Sequence, residues 1–214
     1  MRATLLASTL SLILVGCVSA DGPTTETVQA TALSETAMGY RADIESVSSV
    51  IKANHPRPFR FISEDDFDAL VAAEKASMNN KSELSDVYWS MSRIIASIGC
   101  GHSKPFYFNA EDSLISIEQR FPLDVREFEG RLYVIDPLIN GDKVETGAEI
   151  TSINGISTEQ ILKEAFAHIS ADNNFDHPKG AAFNAYATSY ITYALDFPSS
   201  YQVEVQGASA PVEL

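Results

Sequence analysis

A thiol, an imidazole and a hydroxyl occur within one short stretch, as Cys100, His102 and Ser103. Gly99 and Gly101 flank the cysteine, and glycine adopts positive φ without a steric penalty. We therefore expect a preceding helix to end here and the chain to turn sharply. The turn would place the His102 imidazole on a loop, where reactive groups are commonly held between rigid elements. The alternative is that His102 is only a favourable cation beside a helix C-terminus.

The sequence contains only incomplete matches to established catalytic motifs. Ser103 is not the nucleophile elbow of a hydrolase, because that motif needs a glycine two residues after the serine and Pro105 stands there. The tetrapeptide Ser49–Lys52 matches the Ser-x-x-Lys of penicillin-recognising enzymes, but neither Ser-Asp-Asn nor Lys-Thr-Gly follows it. The sequence also has no glycine-rich phosphate loop.

Cys100 and His102 are also possible metal ligands or a thiol pair. A zinc site needs three or four ligands, and no second closely spaced Cys/His pair accompanies them. We therefore predict no metal and no cofactor. With two cysteines the chain is not a disulfide scaffold, and Cys100 is expected to be a single thiol, of the kind that is most often simply buried.

Three helices are predicted before this stretch, from apolar residues that recur at intervals of three and four. The first runs from near Tyr40 to near Asn54, because His55 precedes a proline and pre-proline residues avoid the α region. Ser63 is the expected N-cap of the second helix, and Gly99 ends the third. The apolar face of the third helix comprises Leu84, Val87, Tyr88, Met91, Ile94, Ile95 and Ile98.

After His102 the apolar residues alternate with a period of two, which is typical of strands. Glu129-Gly130 is expected to join two strands of a hairpin, and Asn154-Gly155 is the dipeptide that best suits a type I′ turn. The predicted strands are 114–117, 121–128, 132–135, 149–153 and 201–205.

Two more helices are predicted among these strands. One is capped by Ser157 or Thr158 and ends before the break at Asp172–Asn174, and the other covers 183–194. The last predicted strand has no later element to pair with, and a lone edge strand exposes unpaired backbone groups. The sequence therefore looks cut short at Leu214.

The acidic composition limits the classes of partner. The chain has 29 Asp and Glu against 15 Lys and Arg, a formal net charge of −14 over 214 residues. Binding to nucleic acid, or to anionic lipid through a basic patch, needs clustered cations. We therefore expect no nucleic-acid partner.

The first residues form a targeting segment. Arg2 is followed by an apolar core, Leu5–Val15, that is too short to span a bilayer as a mature helix. Leu14–Cys17 resembles the bacterial lipobox, which implies cleavage before Cys17 and lipidation of that residue. The protein is then exported and anchored by lipid on the periplasmic side of a membrane, with the outer membrane as the expected one. The alternative is a plain secretory signal cut after Ala20.

Four motifs follow one another in order between residues 40 and 205. They are His55-Pro56 with its nearby aromatics, Ile98–Ser103, Phe121–Val125 and Gly147–Gly155. Together they resemble the tail-specific, or C-terminal-processing, serine peptidase family, including its tricorn-like branch.

The resemblance implies an α+β fold with an N-terminal helical bundle, a PDZ-like β-rich module and the beginning of an α/β peptidase core. The expected division of the chain is a lipoprotein signal peptide (1–17), a flexible tether (18–37), a helical N-terminal domain (38–104), a PDZ-like module (105–172) and the start of a truncated peptidase core (173–214).

The resemblance also implies a role for His102, as the general base of the tricorn-like branch. Gly101 stands where the tricorn core has a serine, and the other branch uses a Ser-Lys pair placed further along the chain. The nucleophilic serine would follow Leu214, so the chain alone is expected to be inactive. The implied substrate is a peptide or unfolded protein, with membrane contact through the lipid only. The alternative is a non-catalytic periplasmic lipoprotein whose PDZ-like module binds peptide tails by strand addition.

Overall fold

Helices form the first part of the described chain, and an antiparallel sheet with three further helices forms the second. The computed structural model describes residues 32–105 and 114–214, and their fold is α+β. The helices are α1 (Glu35–Asn54), α2 (Glu64–Ser77), α3 (Leu84–Ser97), α4 (Thr158–Ala167), α5 (Asp176–Ala185) and α6 (Ala187–Ala194). The strands are β1 (Asp124–Phe128), β2 (Arg131–Asp136), β3 (Glu149–Ile153), β4 (Ile156–Ser157), β5 (Gln202–Val205) and β6 (Val212–Glu213).

The predicted ends of α1 and α3 and the predicted start of α2 are confirmed. Helix α1 stops at Asn54 because His55, which precedes a proline, has the extended angles φ −75° and ψ 129°. The Ser63 hydroxyl caps α2 by accepting a hydrogen bond from the backbone N–H of Asp66. Helix α3 is followed by Gly99 at φ 62°, a left-handed conformation that suits glycine.

These three helices share one apolar core. Phe67 is fully buried in it, and complete burial of such a side chain contributes about 1.5–3 kcal/mol. Leu84, which was predicted to lie on the apolar face of α3, is instead 53% exposed, because it is the first residue of the helix and precedes its packed turns. The buried residues are Ile44, Ile51, Phe67, Val71, Met78, Val87, Ile94, Ile95 and Ile98.

The sheet is antiparallel, with the strand order β1-β2-β3-β5-β6 and with β4 paired to β3. Both predicted turns are confirmed. Glu129 and Gly130 have φ of 51° and 77°, and Asn154 and Gly155 have φ of 51° and 75°. Positive φ at both central residues is the signature of the type I′ turn. Ser157 then caps α4, since its hydroxyl accepts from the backbone N–H of Gln160.

Strand β5 lies inside the sheet, and the prediction that it has no partner is wrong. It pairs with β3 through Ile153 and Val203, and with β6 through Val203 and Val212. The turn that makes the second pairing possible includes Gly207 at φ 82°. The pairing with β3 joins residues some fifty positions apart in the chain, which a local periodicity cannot show.

Two predicted elements differ from the observed ones. Residues 114–117 do not form a strand, because Ile117–Gln119 is a short 3₁₀-helix in which the Gln119 side chain accepts from the Ser116 backbone N–H at 3.0 Å. The helix predicted over 183–194 is two helices, α5 and α6. The break falls at Tyr186, whose φ of −140° and ψ of 34° are not helical.

The leader and the lipidation site Cys17 lie outside the described residues, and the predicted domain boundaries stay predictions. Across residues 32–105 and 114–214, no helix combines the length and the apolar character needed to cross a membrane.

Candidate functional site

The loop after α3 presents His102 to solvent, as predicted. The Gly99 backbone N–H donates to the Ala96 carbonyl at 3.0 Å, which completes the end of the helix. The Ser103 N–H donates to the Cys100 carbonyl at 3.1 Å and closes a tight turn around Gly101 and His102. The imidazole is exposed at the tip of this turn, while the cysteine is half-buried.

A second loop, which follows α4, is fastened to the first. The Gly101 backbone N–H donates to Asp172 Oδ1 at 2.8 Å, and the Asn173 N–H donates to the Gly99 carbonyl at 3.1 Å. A Cβ on Gly101 would lie 3.3 Å from both Oδ1 and the backbone nitrogen of Asp172. Gly101 therefore serves the close approach of the two loops, and the expected positive φ occurs at Gly99 alone of the two glycines.

The two loops bring Cys100, His102 and Asp172 together. One possible ligand atom from each residue lies within 4.8 Å of the other two. Sequence reasoning found the first two residues and missed Asp172, which is seventy residues away and had been assigned only to a helix break. The one local signal was the Asp-Asn-Asn run itself, since such a run is typical of a tight turn.

The Cys100 thiol is easier to ionise than a free cysteine. Burial raises the pKa of the Cys100 thiol, but hydrogen bonds from the backbone and side chains of His102 and Ser103 outweigh burial and lower the pKa overall. Hydrogen-bond donors around a sulfur stabilise the thiolate, which is the nucleophilic and metal-binding form. The turn thus holds an activated thiol beside an exposed imidazole.

These groups line an open cleft of about 790 Å³. Its second wall is the connector between α1 and α2, which contributes two cations, Arg57 and Arg60, and the aromatic ring of Phe61. The connector is stiffened by Pro56 and Pro58 and anchored by Phe59, whose ring contacts Phe67 edge-to-face with centroids 5.8 Å apart. A cleft of this size, with an apolar floor and a few convergent polar groups, can hold a small molecule or a short peptide segment.

A second titratable cluster, centred on the buried His168, fastens α4 to α3. The His168 ring stacks on Trp89 with centroids 3.4 Å apart, and its Nδ1 donates to the Trp89 carbonyl at 2.8 Å. Arg93 Nε donates to His168 Nε2 at 3.1 Å, and the Arg93 guanidinium also pairs with Glu164. Burial lowers the pKa of His168, so the neutral ring is the form that these contacts fit. Trp89, Arg93, Glu164 and His168 do not line the cleft beside His102.

We expect Glu164→Gln to lower the free energy of unfolding by about 1–2 kcal/mol at about pH 7, and by much less at about pH 2.5. The neighbouring His168 ring and the Arg93 guanidinium hold the pKa of Glu164 at about 2, against 4.5 ordinarily. A depressed carboxyl pKa gives stability that is present above pH 4.5 and lost as the pH falls towards 2. The side chain is 39% exposed, so solvent reduces the effect.

The measurement is urea unfolding of the wild type and the variant at several pH values. Glu145→Gln is the matched control, because Glu145 is exposed and lies outside the cluster. A Glu164→Gln difference that stays constant across this pH range would show that the ion pair does not stabilise the fold.

Comparison with known proteins finds structures of similar fold and no related sequence. No protein-family profile and no curated protein sequence matches this chain. Two crystal structures of CPAF, a chlamydial serine protease, do match it: a serine-to-alanine mutant, with a TM-score of 0.53, and the mature protein complexed with lactacystin, with a TM-score of 0.51. Each is 12% identical to this chain in sequence, and each match covers 85% of this chain and 34% of the CPAF chain. This chain thus spans about a third of the CPAF chain, and over that part the two share a fold.

Proposed function

We propose that this chain is the N-terminal part of a tail-specific-type serine peptidase, of the tricorn-like branch. The observation that carries the proposal is the position of His102, which is exposed at the edge of a cleft on a loop that hydrogen bonds hold in place. The likeness of fold to a third of a serine protease supports it. So does the order of the four motifs along the chain.

In the proposed reaction His102 is the general base. Its ring nitrogen takes the proton of a serine hydroxyl as the serine attacks the peptide carbonyl, and later returns that proton to the leaving amine. The serine comes from the part of the peptidase that corresponds to the remainder of CPAF. A base without a nucleophile performs no covalent catalysis, so residues 1–214 alone should not hydrolyse peptides.

Residues 105–172 are the proposed PDZ-like module, which would hold a peptide or unfolded chain. They contain the β1–β2 hairpin, β3 with its type I′ turn, and α4. The His102 loop directly precedes this module in the chain. Arg57 and Arg60 line the cleft and suit an acidic substrate or a chain carboxylate.

The non-catalytic alternative needs a free sheet edge for strand addition. The outer edge of β1 is already engaged, because the Glu127 N–H donates to Asn184 Oδ1 at 2.6 Å and Asn184 Nδ2 donates to the Glu127 carbonyl at 3.0 Å. This engagement of β1 favours the peptidase proposal over peptide binding by β-augmentation at that edge.

The test compares peptide hydrolysis by residues 1–214 with hydrolysis by the protein made from the whole reading frame. The proposal expects no activity from the first and activity from the second, lost on replacement of His102. A reading frame that stops at Leu214 would overturn it.

We also propose that the protein is exported and carries lipid on Cys17. The expected result is that the mature protein of the membrane fraction begins at residue 17 and has the added mass of acyl chains, while Cys17→Ala is not processed in this way. Intact-mass measurement of both proteins checks this. A soluble wild type cut after Ala20 and without acyl mass would refute the anchor.

A further inference from the structure

The cleft brings together three side chains of different ligand chemistry: a thiol from Cys100, an imidazole from His102 and a carboxylate from Asp172. We propose that these residues bind one divalent transition-metal ion of the zinc class, with the fourth coordination position open to the cleft. Zn²⁺ accepts sulfur, nitrogen and oxygen ligands together. Calcium and magnesium take oxygen ligands, so a set with one sulfur and one imidazole excludes them.

The three ligand atoms would need to move only slightly closer together to bind one tetrahedrally coordinated ion. Metal–ligand bonds of about 2.0–2.3 Å place neighbouring ligand atoms roughly 3.3–3.8 Å apart. In the structure all three atoms lie within 4.8 Å of one another. The difference is at most about one to one and a half ångströms, which side-chain rotation can supply at an exposed imidazole and carboxylate.

Hydrogen bonds hold the backbone around the three residues in place independently of metal binding. Asp172 is oriented by the hydrogen bond from Gly101 to its Oδ1, at 2.8 Å. The bond from Asn173 to the Gly99 carbonyl, at 3.1 Å, holds the two loops in register. Hydrogen bonds of this kind orient the ligands of metal sites and raise their affinity. They also explain how two segments seventy residues apart can present one site.

The charges balance at this site. A thiolate and a carboxylate carry two negative charges, which neutralise the two positive charges of the ion, and binding releases the thiol proton to solvent. Arg57 and Arg60 on the opposite wall would oppose a net positive complex but not a neutral one. They favour an anion, such as a carboxylate or hydroxide, at the fourth position.

Metal at this site would also inhibit the proposed peptidase, an effect that rests on that proposed function. A His102 nitrogen bonded to a metal cannot take a proton from a serine. Metal at this site would therefore hold the protein inactive, and removal of the metal by a chelator would restore hydrolysis.

The test of binding uses the 214-residue chain and needs no hydrolysis. The chain carries Cys17→Ala, so that Cys100 is the one remaining thiol. Zn²⁺ is titrated by calorimetry, and Co²⁺ by absorbance, in which a thiolate-to-cobalt charge-transfer band reports sulfur ligation. We expect one ion per chain, a band that Cys100→Ser abolishes, and affinity that falls by about tenfold or more in Cys100→Ser and in Asp172→Asn. His55→Ala is the control, because His55 lines the same cleft but lies outside the cluster.

Two results would overturn the site. One is the absence of stoichiometric binding by a chain that circular dichroism shows to be folded. The other is binding that Cys100→Ser and Asp172→Asn leave unchanged. If the 214-residue chain binds the metal but the whole protein shows no peptidase activity even after chelation, the metal site stands and only its inhibition of a peptidase is contradicted. The two proposals therefore fail separately.

Discussion

Replacing His102 with alanine should reduce peptide hydrolysis by the whole protein by about 10²–10⁴-fold. This is the usual loss when a positioned general base is removed, because the serine must then lose its proton to water. Stability should hardly change, since the imidazole is exposed on a loop and lies outside the apolar core of the first three helices and the apolar clusters packed on the sheet. Steady-state rates and thermal midpoints of the wild type and the variant are measured together.

Two outcomes of this experiment would contradict the assignment. Full activity of His102→Ala at an unchanged thermal midpoint would favour the Ser-Lys branch, in which this histidine is not the base. Hydrolysis that requires the Cys100 thiol would point instead to a cysteine nucleophile.

Replacing Phe67 with alanine should lower the free energy of unfolding by about 3–5 kcal/mol. Phe67 is fully buried between the first three helices, so its removal leaves a cavity as well as losing apolar burial. It also supports Phe59 in the connector that forms one wall of the cleft. Urea unfolding followed by circular dichroism measures the loss.

Phe128→Ala is the matched control, because the same side chain is 64% exposed at the end of the β1–β2 hairpin. Its expected cost is within about 0.5–1 kcal/mol. If the two variants were equally stable, the three helices would not share the packed core that the structure describes.

Much of the fold follows from local sequence rules. A proline after His55 ends α1, serines begin α2 and α4, and a dipeptide that tolerates positive φ makes each tight turn. Each rule acts within about four residues and is satisfied by groups that the sequence places side by side. His102 was found for the same reason, since a glycine at the end of an apolar stripe marks a helix end.

The features that were missed depend on residues far apart in the chain. Asp172 joins the site through a hydrogen bond to Gly101, and no periodicity connects those two positions. The pairing of β5 with β3 likewise joins segments with three helices between them. At Ile117 a local rule failed because the side chain of Gln119 bonds to the backbone and so stabilises a 3₁₀ turn in place of the predicted strand.

Labelling with a serine-directed fluorophosphonate probe tests directly whether His102 is the base that activates a catalytic serine. The probe reacts with a serine only when a neighbouring base has activated it. We predict that the protein from the whole reading frame is labelled on one serine beyond Leu214. His102→Ala should abolish the label although the variant is folded, and the 214-residue chain should not be labelled. Labelling that survives His102→Ala, or that maps to a serine within residues 1–214, would contradict this prediction.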